Sequence, residues 1–172
     1  MATWSLSQLD ARDRALFDRL FLTAAGRRAT RLVWQTVTHV GGFWCSVLAA
    51  SVPWFAHGAL HDASRAAMLT LVISHVVVQV LKRSCGRPRP SPSGGCALIA
   101  VPDKFSFPSG HACASMAVAI TYALAFPALA VPLVVLATVV GFSRVRLGVH
   151  YPGDVLIGQL IAIATAIVVW AL

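Results

Sequence analysis

Long stretches without charged residues dominate the chain. No Asp, Glu, Lys or Arg occurs within four of them, residues 32–61, 66–81, 105–143 and 155–172. A helix needs about 20 mostly apolar residues to cross a bilayer, so the longest stretch has room for two helices, separated near Pro127 and Pro132. The pattern predicts an all-α polytopic membrane bundle with five transmembrane helices, at residues 32–54, 64–82, 110–126, 130–147 and 153–172.

The first 30 residues have a different pattern. Apolar side chains recur there at roughly helical spacing, at Leu6, Leu9, Leu16, Phe17, Leu20 and Phe21. Asp and Arg side chains interrupt them, and this arrangement is typical of a helix that lies along a membrane surface. Residues 1–30 are therefore predicted to be an amphipathic interfacial segment of a single membrane-embedded domain, residues 1–172.

Composition excludes several other classes of protein. Apolar residues make up 58% of the chain and charged residues 12%, and the mean hydropathy is +0.75. Soluble domains have about 25% charged residues, and disordered chains are less hydrophobic. The sequence therefore predicts neither class, and despite the net charge of +8 it predicts no nucleic-acid partner.

The distribution of basic residues predicts the orientation. Of the 14 basic residues, only Arg65 falls at the end of the bundle opposite the polar motifs described below. Cytoplasmic loops carry an excess of Lys and Arg, so the motif-bearing face is expected in the cytoplasm. Because Arg and Ala are abundant and Lys is rare, the composition favours a bacterial protein, and hence the bacterial inner membrane.

Three polar clusters stand at the ends of predicted helices, all on one side of the membrane. They read KRSCGRPRP at residues 82–90, PSGH at 108–111 and SRVRLGVHYPGD at 143–154. Lys82, Arg89 and Arg144 supply three cations, and Arg is suited to bidentate contacts with phosphate oxygens. Ser109 and Gly110 precede a helix whose positive end favours anions. The clusters therefore predict a phosphate site.

Two histidines add a candidate nucleophile and a candidate proton donor. His150 and Asp154 are four residues apart at the start of a predicted helix, so the carboxylate is able to hold the imidazole in one tautomer. His111 follows Gly110 in the second cluster. Three fixed cations are able to neutralise a phosphate, so no metal and no cofactor are predicted.

The combined motifs resemble a known family. Lys82-x6-Arg89-Pro90, Pro108-Ser109-Gly110-His111 and Ser143-Arg144-x5-His150-x3-Asp154 resemble the three-part signature of the type-2 phosphatidic acid phosphatase superfamily, which includes glucose-6-phosphatase and vanadium haloperoxidases. The resemblance covers residues 64–172, the motif-bearing core. Membrane members commonly have six spans, so the resemblance implies six where the pattern predicts five.

The resemblance implies a mechanism and a role for each motif residue. His150 is expected to attack phosphorus and form a phosphohistidine, with Asp154 orienting it and His111 protonating the leaving oxygen. The phosphate would be held by Lys82, Arg89, Ser109, Gly110, Ser143 and Arg144. Arg87 is interpreted as a solvated or headgroup-bound charge, and His39 and His75 as packing residues away from the motif face.

The predicted function is therefore that of an integral membrane lipid phosphatase. The substrates left open are a polyprenyl phosphate or diphosphate, a prenyl-linked sugar phosphate, phosphatidate or phosphatidylglycerol phosphate, and a lipid A phosphate. The alternatives are a non-catalytic lipid-phosphate-binding protein and, more remotely, a vanadate-dependent oxidase. A transporter is disfavoured because the chain has no repeated halves. The sequence does not indicate the oligomeric state.

Overall fold

The computed structural model describes residues 6–22, 28–91, 97–101 and 103–172. Within these ranges the chain forms seven α-helices: α1 Leu6–Leu20, α2 Arg28–Val40, α3 Phe43–Ser51, α4 Ala59–Cys85, α5 Gly110–Ala125, α6 Ala130–Arg146 and α7 Pro152–Trp170. Short 3-10 turns occupy Val52–Phe55 and Pro127–Leu129. The described ranges contain no β-strand, so the predicted all-α class is confirmed.

In the part of the chain that the structure describes, three helical segments are long and apolar enough to cross a membrane: Ala59–Cys85, Pro127–Arg146 and Pro152–Trp170. Two shorter apolar helices, Trp44–Phe55 and Gly110–Ala125, accompany them. Large apolar side chains point outwards from the long helices, among them Leu69, Val76, Val135, Leu160 and Ile167. An apolar outer surface of this extent suits contact with lipid.

Small residues fill the centre of the bundle. Helix α5 packs against α4, α6 and α7, and its interface is rich in alanine, including Ala112, Ala117 and Ala119. At the crossing with α7, a Cβ on Gly158 would lie 2.6 Å from the carbonyl oxygen of Ser109. Only glycine allows this approach, which brings the start of α5 against the first turns of α7.

Four of the five predicted spans correspond to single helices, α4 to α7, with boundaries shifted by a few residues. The first predicted span, 32–54, is wrong as one continuous helix, because the chain breaks between α2 and α3. A Cβ on Gly41 would overlap Val140 Cγ1, so the backbone itself packs against α6 there. Two consecutive glycines also favour a break, since glycine costs about 1 kcal/mol relative to alanine within a helix.

Helix α1 packs against the motif-bearing end of the bundle. Phe17 is 2% exposed, and its ring meets that of Tyr151 edge-on at 5.4 Å. The Leu22 N–H donates to the Arg146 carbonyl at 3.0 Å, and Arg146 donates back to the Leu20 carbonyl at 2.7 Å. Residues 1–5 and 23–27 of the predicted amphipathic segment lie outside the described residues.

Candidate active site

A cavity of about 150 Å³ opens at the motif-bearing end of the bundle. Its walls come from α4, α5, α6, the α2–α3 break and the connections before α5 and α7. It is lined by Gly41, His75, Gln79, Lys82, Arg89, Asp103, Gly110, His111, Ala114, Arg144 and His150. Six of the nine predicted site residues therefore meet at one cavity: Lys82, Arg89, Gly110, His111, Arg144 and His150.

His150 lies between a carboxylate and a guanidinium. Its Nδ1 is 3.7 Å from Asp154 Oδ2, which is longer than a hydrogen bond, and this nitrogen is buried without a hydrogen-bond partner. Its Nε2 is 3.3 Å from Arg89 Nη1. The residue is 2% exposed, and Nε2 is the ring nitrogen that faces Arg89.

Asp154 does not line the cavity but lies directly behind His150. Its side chain is completely buried, and Oδ2 accepts a hydrogen bond from the Tyr151 N–H at 2.8 Å. This bond belongs to a capping box at the start of α7, which explains why the carboxylate stands in the first turn of the helix. The other oxygen, Oδ1, accepts from Arg87 Nη1 at 2.7 Å.

Arg87 is one of the residues whose position the sequence analysis interpreted wrongly. It was expected to be solvated or bound to headgroups, whereas its side chain is only 19% exposed and contacts three carboxylates. Besides Asp154, its guanidinium donates to Asp13 at 2.9 Å and to Asp10 at 2.6 Å. It also lies over the Tyr151 ring, 4.1 Å from the centroid. Arg87 therefore joins α1 to the carboxylate behind His150.

Asp13 makes a second contact to the same region. Its Oδ1 accepts a hydrogen bond from the Gly153 N–H at 2.8 Å, in the first turn of α7. A carboxylate at a helix N-terminus is stabilised by the helix dipole. The amphipathic helix is therefore fastened to the start of α7 both directly and through Arg87.

The cations on one wall of the cavity share an acidic partner that sequence reasoning also missed. Lys82 Nζ donates to Asp103 Oδ2 at 3.0 Å, and Arg89 Nη2 donates to Asp103 Oδ1 at 2.6 Å. Burial would raise the pKa of Asp103, but Lys82 and Arg89 hold it below the usual value. The ionised carboxylate fixes both cations at the cavity.

Arg144 reaches the cavity from α6. It is 3% exposed, and its Nη1 donates to Thr38 Oγ1 at 2.7 Å. Its Nε is buried without a hydrogen-bond partner. A buried guanidinium N–H without an acceptor is costly, so an anion that enters the cavity is well placed to supply one.

Two predicted phosphate ligands, Ser109 and Ser143, do not line the cavity. Ser109 is the N-cap of α5, where its Oγ accepts from the Ala112 N–H at 3.5 Å. The Ser143 hydroxyl donates to the carbonyl of Val140 in its own helix. Both residues are fully buried, so the structure gives their hydroxyls a role at the ends of helices.

His39 and His75 were expected to lie away from the motif face, and this expectation is wrong for both. His39 lines a neighbouring cavity together with His111 and Arg144. His75 lines the first cavity together with Gln79 and Lys82, and Gln79 Nε2 lies 3.2 Å from His75 Nε2. The three residues are four and three positions apart on α4, so they share one face of the helix. From that spacing, the sequence could have predicted that His75 lies at the same cavity as Lys82.

Burial keeps the candidate nucleophile neutral. It lowers the pKa of His150 to about 4; Asp154 opposes this shift, whereas Arg144 and Arg89 add to it. At neutral pH the imidazole is therefore uncharged, and its Nε2 faces the donor Arg89 Nη1 as an acceptor. The site combines a neutral His150 with three cations and a second histidine.

The sequence model of the PAP2 superfamily matches residues 64–172, so the chain belongs to this superfamily and the family resemblance is confirmed. Its class is therefore that of the PAP2-type membrane proteins, with a helical bundle and the three motifs grouped at one end. The three apolar helices and the PAP2 fold together define an integral membrane protein.

Two curated relatives carry more specific names. The chain is 36% identical over 100 residues to a lipid A 1-phosphatase of Rhizobium etli, covering 52% of this chain and 41% of the relative. It is 38% identical over 87 residues to a decaprenylphosphoryl-5-phosphoribose phosphatase of Mycobacterium tuberculosis, covering 50% of this chain and 48% of the relative. The matched region thus spans less than half the length of each relative.

Two crystal structures share the fold. LpxE of Aquifex aeolicus superposes with a TM-score of 0.78 at 21% identity, covering 92% of this chain and 94% of that protein. A transmembrane PAP2-type phosphatidylglycerolphosphate phosphatase of Bacillus subtilis gives a TM-score of 0.74 at 24% identity, covering 97% and 86%. The similarity extends over nearly the whole chain, including the helices that precede the matched family region.

Proposed function

We propose that this protein is a metal-independent membrane lipid phosphatase that hydrolyses a phosphomonoester or diphosphate through a phosphohistidine. The observation that carries the proposal is the placement of His150. Its Nδ1 faces Asp154 and its Nε2 faces a cavity that also holds Lys82, Arg89 and Arg144. Such a set supplies a nucleophile, its orienting carboxylate and the cations that phosphoryl transfer needs.

In the first step, the Nε2 lone pair of His150 attacks phosphorus and forms the P–N bond. The bond between phosphorus and the leaving oxygen breaks, and His111 delivers a proton to that oxygen. In the second step, water attacks phosphorus, the P–N bond breaks, and His111 takes a proton from the water. The products are inorganic phosphate and the lipid alcohol, or the lipid monophosphate when the substrate is a diphosphate.

Charge neutralisation falls to the three cations. Lys82, Arg89 and Arg144 stabilise the negative charge that spreads over the phosphoryl oxygens in the transition state. Before substrate binds, Asp103 holds the Lys82 and Arg89 side chains in position at the cavity. The phosphate of a bound substrate then competes with the Asp103 carboxylate for hydrogen bonds from these two side chains. Asp154 stabilises the positive charge that develops on His150 as the P–N bond forms.

The apolar exterior supports a lipid as the substrate. The cavity opens at the end of a bundle whose outer surface suits the bilayer, so a lipid can present its phosphate without leaving the membrane. The names of the curated relatives favour a lipid A phosphate or a prenyl-linked sugar phosphate. Phosphatidylglycerol phosphate is a further candidate, because it is the substrate in the name of a protein with the same fold.

Phosphate release from a defined panel tests the proposal. We expect purified protein to release phosphate from lipid A, a prenyl-linked phosphoribose or phosphatidylglycerol phosphate much faster than from a soluble phosphomonoester. Excess chelator is expected to leave the rate unchanged, because three fixed cations neutralise the phosphate charge that a metal ion neutralises in other enzymes. Strong inhibition by chelation would contradict the mechanism, and no release from any lipid would favour the non-catalytic lipid-phosphate-binding alternative.

We further propose five membrane crossings in the bacterial inner membrane, with α2 and α3 forming one interrupted crossing and α1 lying at the interface. The active site then faces the cytoplasm. The basic residues at the motif-bearing end support this orientation through the positive-inside rule.

Thiol labelling tests the orientation. Cys85 is exposed at the motif-bearing end of α4, whereas Cys113 is buried. With Cys45 and Cys96 replaced by serine, a membrane-impermeant thiol reagent is expected to label Cys85 only after cells are permeabilised. As the matched control, His57→Cys with Cys85→Ser places the thiol at the opposite end and should be labelled in intact cells. The reverse pattern would place the active site outside the cytoplasm.

A further inference from the structure

A second cavity adjoins the catalytic one. It has a volume of about 440 Å³ and lies between α2, the start of α3 and residues 98–100. His111 and Arg144 line both cavities. These two side chains therefore form the boundary between the place where phosphate binds and a larger space beside it.

The second cavity has several polar groups in its wall. Gln35 donates through Nε2 to the Leu98 carbonyl at 3.1 Å, which holds residues 98–100 against α2. His39 directs Nδ1 at the Gln35 carbonyl, so its other ring nitrogen is available to a ligand. Thr38 is 2% exposed and accepts from Arg144, and its hydroxyl hydrogen is a further donor.

The position of His111 connects this cavity to the reaction. In the proposed function, His111 protonates the leaving oxygen, so the leaving group lies next to it and away from His150. A Cβ on Gly42 would be 3.9 Å from His111 Nε2, so the α2–α3 break brings backbone close to the proton donor. The group attached to the leaving oxygen therefore extends along this break.

A third cavity offers a contrasting environment. It measures about 150 Å³, lies between α3, α5 and α6, and is lined mostly by apolar side chains such as Val40, Leu133 and Val140. Neither His111 nor Arg144 lines it. An apolar lipid chain suits this cavity, whereas the space directly beside the proton donor suits a group that forms hydrogen bonds.

We infer that Gln35, Thr38, His39 and Gly42 form a binding subsite for a hydroxyl-bearing group, such as a monosaccharide, between the scissile phosphate and the lipid chain. The inference rests on the proposed function, because it uses His111 as the donor to the leaving oxygen. A volume of about 440 Å³ lies within the usual range of small-molecule pockets. The substrate class is therefore a glycolipid phosphate.

Substrate comparison tests the subsite. We expect wild-type kcat/KM to be at least about tenfold higher for lipid A, whose phosphate is on a sugar, than for phosphatidate, a difference of about 1.4 kcal/mol. Gln35→Leu and His39→Leu are each expected to lower kcat/KM for lipid A about five- to tenfold, as for one lost hydrogen bond. Neither variant should change kcat/KM for phosphatidate. Thr36→Val, on an exposed position of α2, is the matched control.

A binding measurement separates this inference from the proposed function. In the His150→Ala background, we expect calorimetry to show tighter binding of glucose 1-phosphate than of ethyl phosphate, with the difference removed by His39→Leu. That result supports the subsite even if wild-type protein releases no phosphate. Equal losses on lipid A and phosphatidate, no loss on lipid A, or equal binding of the two soluble phosphates would each overturn the inference.

Discussion

Replacement of His150 by alanine is expected to lower the rate of phosphate release on the order of 10⁴-fold, as for loss of a nucleophile that acts with its partners as one unit. His150 is the side chain whose Nε2 faces the cavity while Nδ1 faces Asp154. Without it, the cations still bind phosphate but nothing forms the P–N bond. The expected result is therefore a loss of kcat with little change in phosphate affinity.

The His57→Ala variant provides the matched control. His57 is exposed at the opposite end of the bundle, so this variant should retain wild-type activity. Phosphate release and calorimetric binding of inorganic phosphate are measured on both variants. Residual activity above a few per cent in the His150 variant would contradict a nucleophilic role.

The second large effect concerns Arg87, whose replacement by methionine is expected to reduce both stability and activity. Removal of the guanidinium leaves Asp10, Asp13 and Asp154 without their shared partner. Removing one partner of a buried ion pair lowers the free energy of unfolding by about 3 kcal/mol. Activity is expected to fall about 100-fold, because Asp154 no longer holds its position behind His150.

The pH dependence of stability distinguishes the ion pairs from simple packing. The Arg87 guanidinium holds the pKa of Asp10 below its ordinary value of 3.8, against the opposing effect of burial. This contribution to stability is fully present above pH 3.8 and is lost as the pH falls through the lower folded-state pKa. The difference in melting temperature between wild type and Arg87→Met should therefore shrink in strong acid.

Two further variants complete the test of Arg87. Arg83→Met removes an exposed charge from the last turn of α4, four residues before Arg87. This variant should leave stability and activity unchanged. Arg87→Lys keeps the charge but not the forked geometry, so it should recover part of the activity. An Arg87→Met variant with wild-type melting temperature and activity would show that the network does not position Asp154.

The sequence was most informative where patterns are local. Helices α4 to α7 follow from uncharged stretches of suitable length, and six motif residues meet at one cavity because each motif stands at a helix end. The break between α2 and α3 was not predictable from hydropathy: Gly41 and Gly42 favour it locally, but the packing of Gly41 against Val140 joins residues far apart in sequence. Apolar patterns do not show which backbone atoms approach each other.

Arg87 and Asp103 were missed for a related reason. The partners of Arg87 on α1 lie 77 and 74 residues away in sequence, and no periodicity links them. Asp103 follows a proline-rich connection, where its pairing with Lys82 depends on the path of the loop. His75 is different, because its spacing to Gln79 and Lys82 along one helix was visible in the sequence.

Trapping the phosphoenzyme tests the phosphohistidine mechanism most directly. Wild-type protein is mixed with a ³²P-labelled lipid phosphate in the presence of chelator and quenched in alkaline denaturant, because the P–N bond of a phosphoimidazole is acid-labile. We expect label on the peptide that contains His150, and none in the His150→Ala variant. Label that remains in that variant, or that maps to another residue of the wild type, would contradict the phosphohistidine mechanism.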